Sequence, residues 1–336
     1  MKLAGTTTLF DPVFGCGMLD RFGRQINYLR ISVTDRCNLR CIYCKATGTG
    51  PNLRPDELLT SPEIVAVSRA AAGEGIDRIR ITGGEPLLRE DVVGLVAALK
   101  AVPGITQITM TTNGLLLAPR VKPLKAAGLS RVNISLDTLK ADRFRSVTGG
   151  RLEDALRGLE EAEAQFPGTK VNVVVMRGVN DDEVADFARM TLTREIEIRF
   201  IEYMAFGEGP LADHARFIST DEILQSLRGV GKLVPIEHDQ RAGPARRYRI
   251  EGARGAIGFI TPVSEPFCGR CNRLRLTSEG KLRSCLLHGG EVDVRAILRG
   301  AGDRPSLLRD ALHRAADLKP ARHKGCGTVC MSKVGG

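Results

Sequence analysis

The chain contains no tryptophan, and aromatic residues make up only 4% of its 336 positions. Few flat side chains are therefore available to stack on the bases of single-stranded nucleic acid. Cysteine is missing over the long interval between Cys44 and Cys268. The N-terminus, MKLAGTTTLFDPVFGCG, has one early lysine but no apolar core behind it, so no secretory leader is expected. The longest stretch without a charged residue, 101–119, is broken by Pro, Gly, Asn, Gln and several Thr, which argues against a membrane span. No internal repeat is found. With 43% hydrophobic and 26% charged residues the chain reads as an ordinary folded globule, which excludes disorder and collagen-like polymers. Its length suits one large α/β domain or two smaller ones. A soluble, cytoplasmic protein is the expectation.

What is present is nine cysteines and a formal charge of +10. Nine is odd, and a reducing compartment disfavours structural disulfides. The cysteines fall at 16, then 37, 41 and 44, then 268, 271 and 285, then 326 and 330. Two tight triplets so far apart look like two metal sites. The charge is uneven as well. Between Arg241 and Cys285 ten basic residues face three acids, so that segment alone supplies +7, and it runs through the second triplet.

Short β-branched runs alternate with amphipathic ones. The pattern predicts strands at Tyr28–Val33, Arg78–Thr82, Gln107–Thr111, Arg131–Leu136, Lys170–Met176 and Glu195–Ile201. Between them it predicts helices at Ser61–Ala72, Asp91–Lys100, Pro119–Ala127, Leu152–Gln165 and Asp181–Leu192. Ser61 reads as a capping hydroxyl before a proline at the first helical position, and Gly128 as a helix stop. Such alternation implies right-handed crossovers and a parallel sheet, either an open doubly wound one or an incomplete β/α barrel. In both, the working edge is the C-terminal end of the strands. Beyond Met204 the rhythm stops. Gly207–Pro210 and Gly243-Pro244 read as turns, and Tyr248–Glu251, Ala256–Ile260 and Leu274–Thr277 as strands, while the last sixty residues read as mostly helical.

Chemistry collects at the predicted strand ends. Cys37-x3-Cys41-x2-Cys44 packs three thiols into eight residues directly after the first strand. A structural zinc ion wants four ligands, and no nearby His or Cys supplies a fourth. Three thiolates suit a cubane iron–sulfur cluster with one iron left open for a substrate. Gly83-Gly84-Glu85-Pro86 follows the second strand, where the plain reading is a turn entering a helix. Cys268-x2-Cys271-x13-Cys285 is ambiguous by itself, because His288 would complete a three-Cys, one-His zinc site. Its flank, Asn272-Arg273-Leu274-Arg275, puts two guanidinium groups on one face of a short strand, an arrangement a zinc knuckle has no use for. Arg30, Arg80, Lys170 and Arg199 lie inside predicted strands. There a cation facing inward is costly unless an anion meets it, and the plain alternative is an outward, solvated position.

The CxxxCxYC motif with Gly83-Gly84-Glu85-Pro86 one βα unit later resembles the radical SAM superfamily. The second motif, FCGRCNRLRLTxxGKLRxCL, and the terminal Gly335-Gly336 narrow the resemblance to the GTP cyclases that act early in molybdenum cofactor biosynthesis, over nearly the whole chain. The resemblance implies an incomplete (β/α)6 barrel at 28–204, preceded by an extension at 1–27. A C-terminal region at 205–336 then carries a second cluster and nucleotide-binding elements. It implies two 4Fe–4S clusters at opposite ends of the barrel, one on Cys37, Cys41 and Cys44 and one on Cys268, Cys271 and Cys285. For S-adenosylmethionine the matching positions are Tyr43, Gly84, Ser135 and Met204. For GTP they are Arg30, Arg80, Thr111, Lys170, Arg199, Arg273, Leu274 and Arg275, with Arg30 also given a catalytic part. In this family the first cluster cleaves S-adenosylmethionine, the 5′-deoxyadenosyl radical takes the ribose 3′ hydrogen of GTP, and the sugar radical attacks C8 of guanine. The resemblance further implies a flavodoxin- or ferredoxin-like electron donor, a downstream pyranopterin-forming enzyme and a homodimer, with no nucleic-acid or membrane partner.

Two features stay outside this scheme. Cys16 precedes the barrel as a bystander, and His323, Cys326 and Cys330 form an HxxCxxxC cluster with no assigned role, a third metal site being one reading. Two other functions remain open from sequence alone. One is a peptide-modifying radical SAM enzyme with an auxiliary cluster, against which the Arg-Leu-Arg element stands. The other is a basic, metal-stapled nucleic-acid-binding protein, which leaves both motifs of the first half unexplained.

Overall fold

The computed structural model describes residues 17–44, 52–205, 213–237, 243–287 and 290–323. Cys16, Gly207–Pro210, His288, Cys326, Cys330 and Gly335-Gly336 lie outside these residues. Six parallel neighbours form the first part of one sheet: β1 (Tyr28–Ser32), β2 (Arg78–Thr82), β3 (Gln107–Thr112), β4 (Arg131–Ser135), β5 (Lys170–Val175) and β6 (Glu197–Glu202). The crossovers carry α1 (Ser61–Gly73), α2 (Val92–Lys100), α3 (Val121–Ala126), α4 (Ala141–Thr148), α5 (Leu152–Gln165) and α6 (Val184–Thr193). Thr60, not Ser61, caps α1. Its hydroxyl accepts from the Glu63 amide at 3.4 Å while the Glu63 carboxylate accepts from the Thr60 amide at 2.7 Å. This reciprocal box satisfies two orphan donors at once, and Ser61 is left to donate to Asp91 at 2.6 Å. Gly128 does end its helical turn, at φ 99°.

Alternation along the strands decides which face of the sheet is which. Leu29, Ile31, Ile79, Ile81, Ile108, Met110, Val132, Ile134, Val171, Val173, Ile198 and Phe200 point toward the helices and are buried in one continuous core. Each such side chain is worth about 1.5–3 kcal/mol on burial. The intervening positions carry Arg30, Arg80, Thr111, Asn133, Asn172 and Arg199. A parallel sheet packed on both faces would show unbroken apolar runs. Here the inner face is polar, so the barrel encloses a cavity instead of a second core.

The sheet continues past β6. β9 (Ala256–Ile260) adds parallel to β6, and β8 (Arg246–Ile250) and β7 (Leu233–Pro235) follow antiparallel. On the opposite edge β10 (Arg273–Leu276) adds parallel to β1, followed by antiparallel β11 (Lys281–Arg283) and β12 (Glu291–Asp293). The order is β12-β11-β10-β1-β2-β3-β4-β5-β6-β9-β8-β7, and among the described residues no pairing joins the two ends, which leaves the barrel an open side. β9 and β10 run in the same direction. Residues 261–272 therefore return from the C-terminal end of one strand to the N-terminal end of the other, past the open side. Buried Glu202, at the end of β6, secures the start of this return by accepting from the Val263 and Ser264 amides at 3.1 and 2.9 Å. After α7 (Thr220–Ser226), the next α-helices among the described residues are α8 (Arg295–Arg299) and α9 (Arg304–Asp317). Among the described residues of the last sixty, fewer are helical than the sequence predicts, because β11 and β12 take up the stretch before α8.

Candidate active site

A cavity of about 1540 Å³ runs through the barrel, and both cysteine triplets line it. Cys37, Cys41 and Cys44 follow the C-terminal end of β1. Their loop is pinned by Arg40 and Ile42, whose amides donate to the Thr148 and Val147 carbonyls of α4 at 2.7 and 2.9 Å. The Cys44 amide closes a turn onto the Cys41 carbonyl at 3.0 Å. Gly83 and Gly84 are set by close approach. A Cβ on Gly83 would lie 2.6 Å from the Thr34 carbonyl oxygen, and one on Gly84 would lie 2.2 Å from that of Arg36. Only glycine lets the loop after β2 seal against the segment that leads into Cys37. Glu85 completes the seal from the other side. It accepts from the Leu87 and Asn113 amides and from the Thr112 hydroxyl at 3.0, 2.8 and 2.7 Å, although burial holds its carboxyl above the usual range.

Tyr43 points its hydroxyl at Asp137, donating at 2.7 Å, and Asp137 also accepts from the Val174 amide at 2.9 Å. Burial pushes the Asp137 carboxyl up to about 6. Gly84, Ser135 and Met204 line the same end of the cavity, so the four positions matched to S-adenosylmethionine come together around the first triplet.

The second triplet sits at the other end of the strands. Cys268 and Cys271 precede β10 and Cys285 follows β11. These strands are antiparallel, so the start of one lies beside the finish of the other. Arg24 ties this end to the N-terminal segment, donating to the Cys268 carbonyl at 2.7 Å while paired with Asp20 at 2.6 Å. Burial opposes ionisation of the Cys271 thiol, but Arg273 and Lys319 bring it down to about 6. Neither Arg24 nor Lys319 belongs to a recognisable motif, and sequence reasoning missed both.

Cations pave the wall between the two ends. Arg30 stands opposite Arg80 on β2 and Arg275 on β10 in the strand register. Arg80 donates from Nε to the Tyr28 hydroxyl at 2.5 Å and from Nη1 to the Thr111 hydroxyl at 3.3 Å. Burial raises the Tyr28 phenol, yet Arg80 and Arg30 outweigh it and lower it to about 8. Burial, Arg275 and Arg80 all act to hold the Arg30 guanidinium well below its ordinary value. Arg199 lines the cavity too. Lys170 does not; it is buried at the rim of the wall against Glu197, with 2.7 Å between Nζ and Oε2. Leu274 also departs from the set, since its side chain faces the helix-side core while Arg273 and Arg275 line the cavity.

Glu197 is the acid that sequence reasoning missed. It meets Lys170 at 2.7 Å, Arg199 at 2.6 Å and Arg247 at 3.2 Å. Burial opposes its charge, but Arg199 and Lys170 lower it to about 2. Burial and Arg199 lower Lys170 to about 7 even beside this carboxylate. Burial is the chief cause for the lysine and the neighbouring cations for the carboxylate, and one anion serves three cations. The wall is overcharged and fits a polyanion. Asn133 supplies a second sign of a ligand. It is fully buried, lines the cavity, and neither atom of its carboxamide has a hydrogen-bond partner among the described residues.

All six cysteines of the two triplets are free thiols. Among the described residues no three Cys, His, Asp or Glu side chains close on one metal ion. A cubane takes its thiolates at separate iron corners, so its ligands stand farther apart than those of a single ion. The soft, all-sulfur donor sets fit such clusters.

Residues 31–191 match the radical SAM superfamily and residues 196–325 match the family described as Molybdenum Cofactor Synthesis C. Fold and site together define a radical SAM protein with a molybdenum-cofactor-type C-terminal region. The structure of SuiB from Streptococcus suis bound to S-adenosylmethionine superimposes on 86% of this chain and 68% of its own, with TM-score 0.58 at 14% identity, which establishes likeness of fold. The GTP 3′,8-cyclase of Heliobacterium modesticaldum is 48% identical over 95% of this chain and 100% of its own length. That of Moorella thermoacetica is 48% identical over 91% and 95%, and that of Geobacter sulfurreducens 46% identical over 95% and 99%. The chain belongs to the GTP 3′,8-cyclase family.

Proposed function

We infer that this protein is an S-adenosylmethionine-dependent GTP 3′,8-cyclase, converting GTP to 3′,8-cyclo-7,8-dihydro-GTP early in molybdenum cofactor biosynthesis. The observation that carries the reading is one cavity, walled by more cations than anions, that connects two cysteine triplets. In this reading Cys37, Cys41 and Cys44 hold the cluster whose electron cleaves S-adenosylmethionine, and Cys268, Cys271 and Cys285 hold a second one. Gly84, Ser135 and Met204 orient the methionyl end of the cofactor beside Tyr43. Arg30, Arg80, Arg199, Arg273 and Arg275 bind the triphosphate, with a charge of about −4, by charge-assisted hydrogen bonds. Thr111, held by Arg80, and Lys170, held by Glu197, complete the nucleotide set, and Leu274 contributes by spacing the two arginines on β10. The polar wall then fixes the ribose between the two ends, so that its 3′ hydrogen faces the first triplet while water is excluded.

A reducing partner of flavodoxin or ferredoxin type, a downstream pyranopterin-forming enzyme, a homodimer and a cytoplasmic setting belong to the same reading. Among the described residues no helix is long and apolar enough to cross a membrane. Reduced enzyme given S-adenosylmethionine and GTP should release 5′-deoxyadenosine together with a cyclised guanosine product. Deoxyadenosine release that ignores GTP would sink the assignment. Anaerobically purified protein should carry about eight irons per chain, whereas zinc without iron contradicts both clusters.

A further inference from the structure

We propose that Lys319 is a positioning residue for the second iron–sulfur cluster, its ammonium group locking together the two loops that carry the ligands and raising the reduction potential of the cluster. The inference rests on the second-cluster reading given above. Lys319 lies just beyond α9 and is 2% exposed. Its Nζ donates to the Arg273 carbonyl at 2.8 Å, the Ser284 carbonyl at 2.8 Å and the Cys271 sulfur at 3.5 Å. Three acceptors require three N–H bonds, which only the charged ammonium has.

One carbonyl belongs to β10 and the other to the residue just after β11. Arg273 begins β10 two residues after Cys271, and Ser284 immediately precedes Cys285. One cation therefore fixes the backbones of two cysteines relative to each other. A lysine buried this completely is costly unless an opposite charge meets it. Among the described residues no carboxylate pairs with Lys319, in contrast to Arg24 on the Cys268 side, which Asp20 neutralises at 2.6 Å. A thiolate-bound cluster supplies the missing negative charge at Cys271. Hydrogen bonds to cluster sulfur and a fixed nearby cation favour the more negative, reduced state of such a centre, and so raise its potential.

The test is a dithionite titration of the anaerobically reconstituted full chain, followed by electron paramagnetic resonance. The second-cluster signal is the one that persists when Cys37, Cys41 and Cys44 are replaced by Ala. Lys319→Met keeps most of the length of the side chain and removes its charge. It should retain iron while the second midpoint moves to a more negative potential, with Lys319→Arg staying near wild type. Loss of second-cluster iron from the Met variant alone also supports a charge-dependent hold. An unchanged midpoint in an iron-replete Met variant overturns the proposal. So does equal iron loss from both variants, which would make position 319 a packing site. A wild-type chain with about four irons and no second signal refutes the second-cluster reading itself.

Discussion

Replacing Glu197 by Gln keeps the shape of the buried side chain and removes the single anion shared by Lys170, Arg199 and Arg247. Its carboxyl titrates at about 2 in the folded chain against an ordinary value of 4.5. That difference corresponds to about 3 kcal/mol, in line with the ~3–5 kcal/mol cost of breaking a buried ion pair. Because the folded value is depressed, the contribution is fully present above the unfolded value and is lost only as pH falls from there through about 2. At neutral pH the Gln variant lacks all of it. For 336 residues the unfolding entropy is about 0.7 kcal/mol/K, so the melting temperature should drop by about 4 °C. Scanning calorimetry of the reconstituted protein reads this directly. Saturating GTP should narrow the gap, since the triphosphate takes over as counterion, and the variant should bind GTP more tightly than wild type. A variant melting within about 1 °C of wild type, or one that binds GTP more weakly, would refute the view of Glu197 as a stand-in for substrate.

Gly84→Ala drives a Cβ to 2.2 Å from the Arg36 carbonyl oxygen; the loop cannot close, and the chain should lose the first cluster's iron and all deoxyadenosine formation while keeping the second cluster. Ala at Arg273 and Arg275 should weaken GTP binding by about 1.5–3 kcal/mol per charged hydrogen bond lost, with the iron of the first cluster unchanged; equal affinity would mean that the basic segment does not bind nucleotide. Lys170, lowered to about 7 by burial and Arg199, should regain its proton when a triphosphate arrives. GTP binding above that pH therefore takes up a proton and weakens by at most tenfold per pH unit, a dependence that calorimetry in buffers of different ionisation enthalpy will reveal and that Lys170→Arg should abolish.

Much of the site was legible in the sequence because its determinants are local. Strands such as Arg78–Thr82 alternate apolar and polar residues strictly enough to mark one apolar and one polar face, but only the folded sheet turns the polar face into the barrel interior. The first cysteine triplet shows its chemistry in its spacing, whereas Gly83-Gly84-Glu85-Pro86 and the second triplet take theirs from the family resemblance. Glu197 was not legible, because Glu195 stands two residues away with the same parity and only the β5–β6 register brings one of them to Lys170. Lys319 was hidden for another reason: its partners are backbone carbonyls and a sulfur from residues 271–284, and no sequence signal links them to a lysine beyond the last helix. β11 and β12, three residues each, are too short to show a period and exist because β10 offers them an edge. The missed α4 is eight residues long and polar, with only Phe144, Val147 and Thr148 buried.

The return of residues 261–272 past the open side also governs the order in which the molecule can be built. A chain released only as far as β6 already holds the first triplet and its glycine seal, yet it presents two raw strand edges, β1 and β6, with unpaired backbone donors and acceptors. Such edges invite pairing with other chains, and parallel pairings across long sequence distances form slowly. β9 covers one edge and β10 the other, and β10 reaches β1 only after some 245 residues have intervened between Tyr28 and Arg273. The late C-terminal strands thus act as edge guards, and the newly made barrel stays vulnerable to aggregation until they arrive.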